Sequence, residues 1–358
     1  MTEHENKKLN IDPGFTLRPR VIVITGPTAT GKSGCAVRLA KEIGGEIISA
    51  DSMQVYRGMD IGSAKITKEE MQGVPHHLID VMDPDEDYNV LRFQEMAKKA
   101  IADITARGKI PVICGGTGFY IQALLYDIDF TDEPETEELA DYRRSLESVA
   151  AESNGASRLH KMLSETDPES AEMIDEGNVK RVIRALMFYH IHGQKISEHN
   201  SRESEKRLNG AEHSPYNYTY FVLYGDRERL YRKIDQRVDL MMEEGLAKEA
   251  ERLYYGVSAD GSELQPAGKD TVPLPGAKQT AHLSLTASQG IGYKEMYAWL
   301  RGETDLDEAV NLIKRNTRRF AKRQLTWFRR ERDVIWINID EGDPLDEIRK
   351  HLPDVWRG

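Results

Sequence analysis

The sequence predicts an α/β fold: a parallel sheet core flanked by helices, interrupted by an all-helical insertion. Three observations carry this. An apolar run at 21–24 leads into the glycine loop GPTATGKS at 26–33, and a stretch of helical period follows at 35–40. Two further apolar runs, at 46–48 and 110–114, end in an acid–hydroxyl pair and in glycines. From 131 to about 217 the chain is charged and helical in spacing, with few strand signals.

The glycine loop has the spacing G-x4-G-K-S. Gly26 and Gly31 permit backbone angles that a side chain disfavours, so the loop can turn its N–H groups inward around a polyphosphate. Pro27, Thr28, Ala29 and Thr30 complete the cradle. Lys32 can reach the terminal phosphates, Ser33 is placed to ligand Mg2+, and the helix behind adds the positive end of its dipole. The core is therefore P-loop NTPase-like. The loop specifies a diphosphate or triphosphate but not which one, and not what for.

The next strand, at 46–49, ends in Asp51 and Ser52. In an open parallel sheet, ligands bind beyond the carboxyl ends of the strands, which places both residues near the phosphate loop. Asp51 also fits a helix or turn cap. Residues 53–62 lack periodicity and read as a loop wrapping a site. PHHLID at 75–80 reads as a strand edge; adjacent histidines point to opposite faces of a strand, which suits structure better than metal binding. A helix is expected over 91–107, then a buried strand ending in Gly115-Gly116-Thr117-Gly118. This second glycine turn opens a helix at Phe119, with Thr117 either reaching the same ligand or capping the helix.

Within the helical region, Asn178, Lys180, Arg181 and Arg184 form a basic face, of the kind that is usually just solvated. Residues 218–224 read as a returning core strand and 230–242 as a helix. Residues 257–288 read as a long mobile loop, and 334–339 as a final strand. The expected division is a disordered lead-in at 1–20, a core at 21–130 and 218–345, and a helical insertion at 131–217.

Charged residues make up 30% of the 358, hydrophobic residues 39%, and the net charge is −11. No apolar run approaches the ~20 residues that span a bilayer, and the polar N-terminus does not read as a secretory signal. Two cysteines, Cys35 and Cys114, both in apolar or glycine surroundings, read as buried small residues, which fits a reducing cytoplasm. The acidic balance argues against nucleic acid until its distribution is considered. Residues 314–332 hold nine Lys or Arg against one acid, a net of +8 in 19 residues.

Two function classes compete on these residues. One is a small-molecule kinase, with ATP in the loop and an acid accepting a hydroxyl proton. The other is a transferase acting on nucleic acid, its basic helix gripping phosphates. A simple kinase has no evident use for the basic helix. A switch GTPase or motor ranks below both, since no guanine-reading motif is present.

The set GPTATGKS (26–33), DSMQVYRGMDIGSAK (51–65), PHHLID (75–80), GGTGFYIQAL (115–124), NVKRVIRAL (178–186), GIGYKE (290–295) and AKRQLTWFRR (321–330) resembles the bacterial tRNA dimethylallyltransferases, or isopentenyltransferases. The motifs keep that family's order across about 21–340. The resemblance implies transfer of a dimethylallyl group from dimethylallyl diphosphate to N6 of the adenine 3′ of a tRNA anticodon (position 37). The phosphate loop then holds the diphosphate, helped by Arg227 and by Mg2+ at Ser33. Asp51 is the implied base, and Thr117 the residue at the bridging oxygen. Implied tRNA contacts fall on Asp51, Ser52, Met53 and Gln54; on Arg143; on Lys180, Arg181, Val182, Ile183 and Arg184; on Gln289, Gly292, Tyr293 and Lys294; and on Lys322 and Arg323. A cytoplasmic monomer is expected. The family includes relatives that prenylate free adenine nucleotides (cytokinin-type); the insertion and the basic helix favour tRNA. Gly34-Cys35, Gly290 in place of alanine, and the length of 257–288 depart from the family pattern without removing a chemical group.

Overall fold

The computed structural model describes residues 18–130, 136–208, 210–256, 272–273 and 282–352. The chain divides into two compact units: one takes the chain up to Leu125 and from Pro215 onward, the other is Tyr126–Ser214.

The first unit is built on β1 (Arg20–Thr25), α1 (Lys32–Ile43), β2 (Glu46–Ser49), the single turn α2 (Lys68–Met71), β3 (His76–His77), α3 (Val90–Ala106), β4 (Pro111–Gly115) and α4 (Gly118–Leu125). The second unit is all helical: α5 (Glu137–Ala150), α6 (Gly155–Thr166), α7 (Pro168–Met173), α8 (Val179–His192) and α9 (Ile196–Leu208). The chain then returns with β5 (Asn217–Tyr224), α10 (Arg227–Glu244), α11 (Leu246–Tyr254), a two-residue ladder of β6 (Val272–Pro273) and β7 (His282–Leu283), α12 (Leu285–Ser288), α13 (Tyr293–Leu300), α14 (Leu306–Phe328), β8 (Val334–Asn338) and α15 (Pro344–His351).

Six strands form one parallel sheet in the order β3-β2-β4-β1-β5-β8. The central strands are buried on both faces, as a sheet covered by helices requires. Five of six β1 residues and every β4 residue are buried. Ile22, Ile24, Val112, Ile113 and Phe221 are fully shielded, each worth roughly 1.5–3 kcal/mol of transfer free energy. The register pairs Ile24 with Cys114 and Val23 with Tyr220, which brings the carboxyl ends of β1, β4 and β5 to one edge.

The histidines at the sheet edge are structural. His76 bonds the Val74 carbonyl at 2.8 Å, and His77 bonds buried Glu46 at 2.8 Å. Hydrogen bonds from Arg107, then Lys109 and His77, hold the Glu46 carboxyl well below the usual carboxylate range. Burial pushes the Cys35 thiol up to about 12 and the Cys114 thiol up to about 11, so both remain inert.

Two expectations are corrected. The basic run is part of a longer helix: α14 starts at Leu306, capped by the Asp305 carboxylate accepting from the Glu308 N–H at 2.8 Å, and ends at Phe328. Its first turns carry Ala309 and Ile313 into the core, so burial, not charge, sets where it begins. Residues 285–288, read as part of a mobile loop, form α12, because the Ser284 hydroxyl caps it and hydrogen-bonds Tyr56 Oη at 3.0 Å in the core. Residues 257–271 and 274–281, like the lead-in 1–17, lie outside the described residues.

Candidate active site

The site grows from the carboxyl edge of the sheet. Gly26 has φ +150°, and a Cβ there would sit 2.4 Å from the Leu223 carbonyl oxygen, so only glycine lets β1 turn against β5. Gly31, at φ +81°, ends the loop as the residue before α1. Inside the loop the Thr30 hydroxyl donates to the Pro27 carbonyl at 2.8 Å, and Ala29 packs on Leu230, Ile234 and Ala321. These residues brace the loop from within.

The second glycine turn sits beside the first. The Gln324 side chain joins them: its Oε1 accepts from the Thr28 N–H at 3.0 Å, and its Nε2 donates to the Gly116 carbonyl at 2.9 Å. A Cβ on Gly118 would fall 2.3 Å from Trp327 Cδ1, so the glycine allows α14 to lie directly on this turn. The sequence hides Gln324, which lies within the basic run and carries no charge.

The two turns open into a cavity of about 420 Å3, lined by Thr28, Lys32, Asp51, Ser52, Met53 and Thr117 among others. Its inner end narrows to a polar recess of about 60 Å3, where Lys32, Ser33, Asp51, Gln54 and Arg237 converge. Met53, Ile234, Val238, Met241, Ile313 and Phe320 give the outer part apolar walls. The recess is thus polar and cationic, while the chamber adds apolar walls, with Lys294 and Arg323 also lining it.

Asp51 stands where the two ends meet. Its Oδ1 accepts from the Met53 N–H at 2.9 Å and the Gln54 N–H at 3.4 Å, a turn that fixes the carboxylate. Among the described residues no donor is bound to Oδ2. Burial pulls the Lys32 ammonium below its ordinary pKa, and Arg237 adds to this while Cys114 and Asp51 oppose it. Burial likewise lowers Arg237. Two poorly solvated cations facing one carboxylate leave the recess short of negative charge, the electrostatic condition for an anion site.

Arg227 is not at this cavity; it lines a separate one, its guanidinium 5.2 Å over the Tyr231 ring. Arg237, about three turns further along the same helix, is the arginine at the recess. The sequence does carry a signal for it: Arg237 stands among Leu230, Ile234, Val238 and Met241, a charge set in an apolar stripe. Tyr293 does not line the cavity. It is fully buried, and its hydroxyl donates to Glu249 Oε1 at 2.7 Å. Gln289, Gly292 and Lys294 do line it.

Glu249, on α11, organises this side of the site. Its carboxylate, 7% exposed, accepts from the N–H groups of Asp60 (2.9 Å), Ile61 (2.9 Å) and Gly62 (3.0 Å) as well as from Tyr293. It therefore fixes the loop that brings Gly62, Ser63 and Ala64 to the cavity.

In the helical unit, Lys180, Arg181 and Arg184 lie on α8 and Arg143 on α5, and Arg181 and Arg143 are exposed. Val182 is fully buried with Leu146, Leu159 and Leu163, and Ile183 packs beside them, so their side chains serve the core. On α14, Arg318 pairs with Asp235, and Lys314 with Asp239 at 2.5 Å. Arg319, Lys322, Arg323 and Arg330 line a groove with Trp327.

Fold and site together define a P-loop α/β protein whose phosphate cradle opens onto an apolar chamber. Residues 54–331 match the family model described as IPP transferase. The chain is 51% identical over 318 residues to a tRNA dimethylallyltransferase of Lachnoclostridium phytofermentans, covering 89% of this chain and 91% of that one. It is 44% identical over 341 residues to the Bacillus thuringiensis tRNA dimethylallyltransferase, covering 95% and 96%. Among solved structures it resembles the tRNA isopentenylpyrophosphate transferase of Bacillus halodurans (TM-score 0.62, 42% identity, 93% and 94% covered). It also resembles a eukaryotic dimethylallyltransferase acting on tRNA (TM-score 0.71, 29% identity, 92% and 77% covered). The chain belongs to the IPP transferase family.

Proposed function

We propose that the protein transfers the dimethylallyl group of dimethylallyl diphosphate to N6 of adenine 37 of tRNA, next to the anticodon, releasing diphosphate. The observation that carries the reading is the two-ended cavity, with a cationic recess, an apolar chamber and Asp51 at their junction. A kinase binding ATP in the loop has no use for an apolar chamber at the phosphate end. A prenyl diphosphate fills both ends. The names of the relatives agree.

In this reading the loop, Lys32 and Arg237 hold the diphosphate and stabilise the charge that grows on it as the allylic carbon–oxygen bond breaks. Thr117 contacts the bridging oxygen. The N6 lone pair attacks the allylic carbon, and the leaving N6 proton passes to Asp51 Oδ2. The apolar walls shield the allylic carbon from water. The Ser33 hydroxyl, at the recess, would hold Mg2+. Among the described residues no group of three or more His, Cys, Asp or Glu could hold a metal alone, so Mg2+ would take most of its ligands from diphosphate and water. Bound there, it supplies further charge stabilisation to the leaving group.

The adenine leaves the anticodon stack to enter the chamber, at a cost of a few kcal/mol. The tRNA contacts proposed are Ser52, Met53, Gln54, Gln289, Gly292 and Lys294 at the chamber, Arg143, Lys180, Arg181 and Arg184 on the insertion, and Lys322 and Arg323 on α14. No helix among the described residues is long and apolar enough to cross a membrane; a cytoplasmic enzyme working as a single chain is proposed.

The test is label transfer from radioactive dimethylallyl diphosphate, with Mg2+, to an unmodified tRNA transcript, with AMP and ATP as competing acceptors. Label in the tRNA that disappears when adenine 37 is replaced supports the reading. Label in AMP or ATP assigns the chain to the cytokinin-type relatives, and phosphate transfer from ATP returns it to the kinases. Lys322→Ala with Arg323→Ala is expected to lower the salt slope of tRNA binding by about 0.7–0.9 for each phosphate no longer neutralised. Binding measured across salt concentrations checks this; an unchanged slope removes α14 from the interface.

A further inference from the structure

A second cavity, of about 520 Å3, lies against the face of α14 turned away from the chamber. At ~100° per residue, Phe320 in the chamber and Lys322 in this cavity point to opposite sides of the helix. The floor is the carboxyl end of β5 and the edge strand β8, where Tyr224 and Trp336 meet edge to face with ring centroids 5.6 Å apart. The walls carry Arg227 over the Tyr231 ring, and Lys322 and Arg329 from α14. Among the described residues no carboxylate lines the cavity, and none pairs with these three cations. Trp336 is 36% exposed.

Three unneutralised cations beside the partly exposed Trp336 ring select a ligand that carries both an anionic group and a flat π surface. That is the chemistry of a nucleoside phosphate. Its source follows from the path that leads there. Arg323 lines both the chamber and the groove of Arg319, Trp327 and Arg330, while Lys322 and Thr326 line both the groove and the second cavity. A continuous cationic track therefore runs around α14, a helix only about 10–12 Å across. A polynucleotide with one base in the chamber and its phosphates on the track reaches the second cavity within a few nucleotides.

We propose that this cavity is a second nucleotide subsite for the same RNA. It takes an unstacked base against Trp336, and the phosphate beside that base on Arg227 and Arg329. The proposal rests on the tRNA reading above and adds a contact away from the reacting adenine.

The test uses the full chain and an unmodified tRNA transcript. Trp336→Ala is expected to weaken tRNA binding at least fivefold, with the KM for dimethylallyl diphosphate within twofold of wild type. Trp336→Phe keeps a stacking face and is expected to restore most of the affinity, which separates stacking from a folding defect. Arg227→Ala with Arg329→Ala is expected to lower the salt slope by the equivalent of one to two phosphates. tRNA affinity within twofold of wild type in both Trp336→Ala and the double variant overturns the proposal. So does equilibrium dialysis in which Trp336→Ala loses radiolabelled AMP while keeping tRNA, since the cavity then serves a free nucleotide. If wild-type protein binds the transcript through Trp336 but transfers no label to it, the reaction reading fails and the subsite stands.

Discussion

Asp51→Ala is expected to keep tRNA binding within a few-fold and to lose about 10²–10⁴ in turnover, the range for removing a positioned general base. The carboxylate is held by two amides on one oxygen, and among the described residues no donor is bound to the other. Alanine removes both functions, so Asp51→Asn is the sharper variant. Its side-chain oxygen can still accept from Met53 and Gln54, keeping the turn, while the amide cannot take a proton. Single-turnover rates at saturating tRNA and donor separate the two effects. If Asp51→Asn turns over within tenfold of wild type, Asp51 is not the base, and its place in the recess is electrostatic or structural.

Glu249→Ala is expected to act on stability first. Three backbone amides and a tyrosine hydroxyl would lose their acceptor inside the protein. The Tyr293 hydroxyl is buried and the three amides are part-buried, so about 1–3 kcal/mol for the hydroxyl with smaller amounts for the amides gives a loss of about 3 kcal/mol. Glu249→Gln is expected to be intermediate, because the amide nitrogen meets donors with a donor. Denaturant titration measures the loss. The same variants are expected to raise the KM for both substrates, since the loop that Glu249 anchors forms one side of the cavity. A stability change below about 1 kcal/mol would show that the loop finds other partners.

The fold is legible because its signals are local. Apolar runs ended by glycine or acid mark the strands, and the phosphate loop sets the order of strand, turn and helix. The site is legible as far as it is linear: Lys32 and Ser33 open the helix behind the phosphate loop, and Asp51 and Thr117 each follow a strand end. Gln324 and Glu249 escape a linear reading for a shared reason, and Arg237 shows only as a charge in an apolar stripe. Each is a polar residue on an amphipathic helix, and only tertiary packing distinguishes one aimed at a cavity or a loop from one facing solvent. Tyr293 and Val182 enter as RNA contacts because the resemblance carries over whole motif segments. Around a helix adjacent residues point about 100° apart, so a contiguous motif holds both contacts and core. The start of α14 is obscured because charge outweighs, to the eye, the apolar stripe that fixes it.

The Gln324 bridge ties donor and acceptor sites into one thermodynamic cycle. The helix that carries Lys322 and Arg323 also holds the Thr28 N–H and the Gly116 carbonyl. On the proposed reading, a shift of that helix on RNA binding would alter the fit of both turns to the diphosphate. Linkage makes the effect reciprocal: by whatever factor tRNA tightens the donor, the donor tightens tRNA. On that reading, occupancy of one site would report on the other.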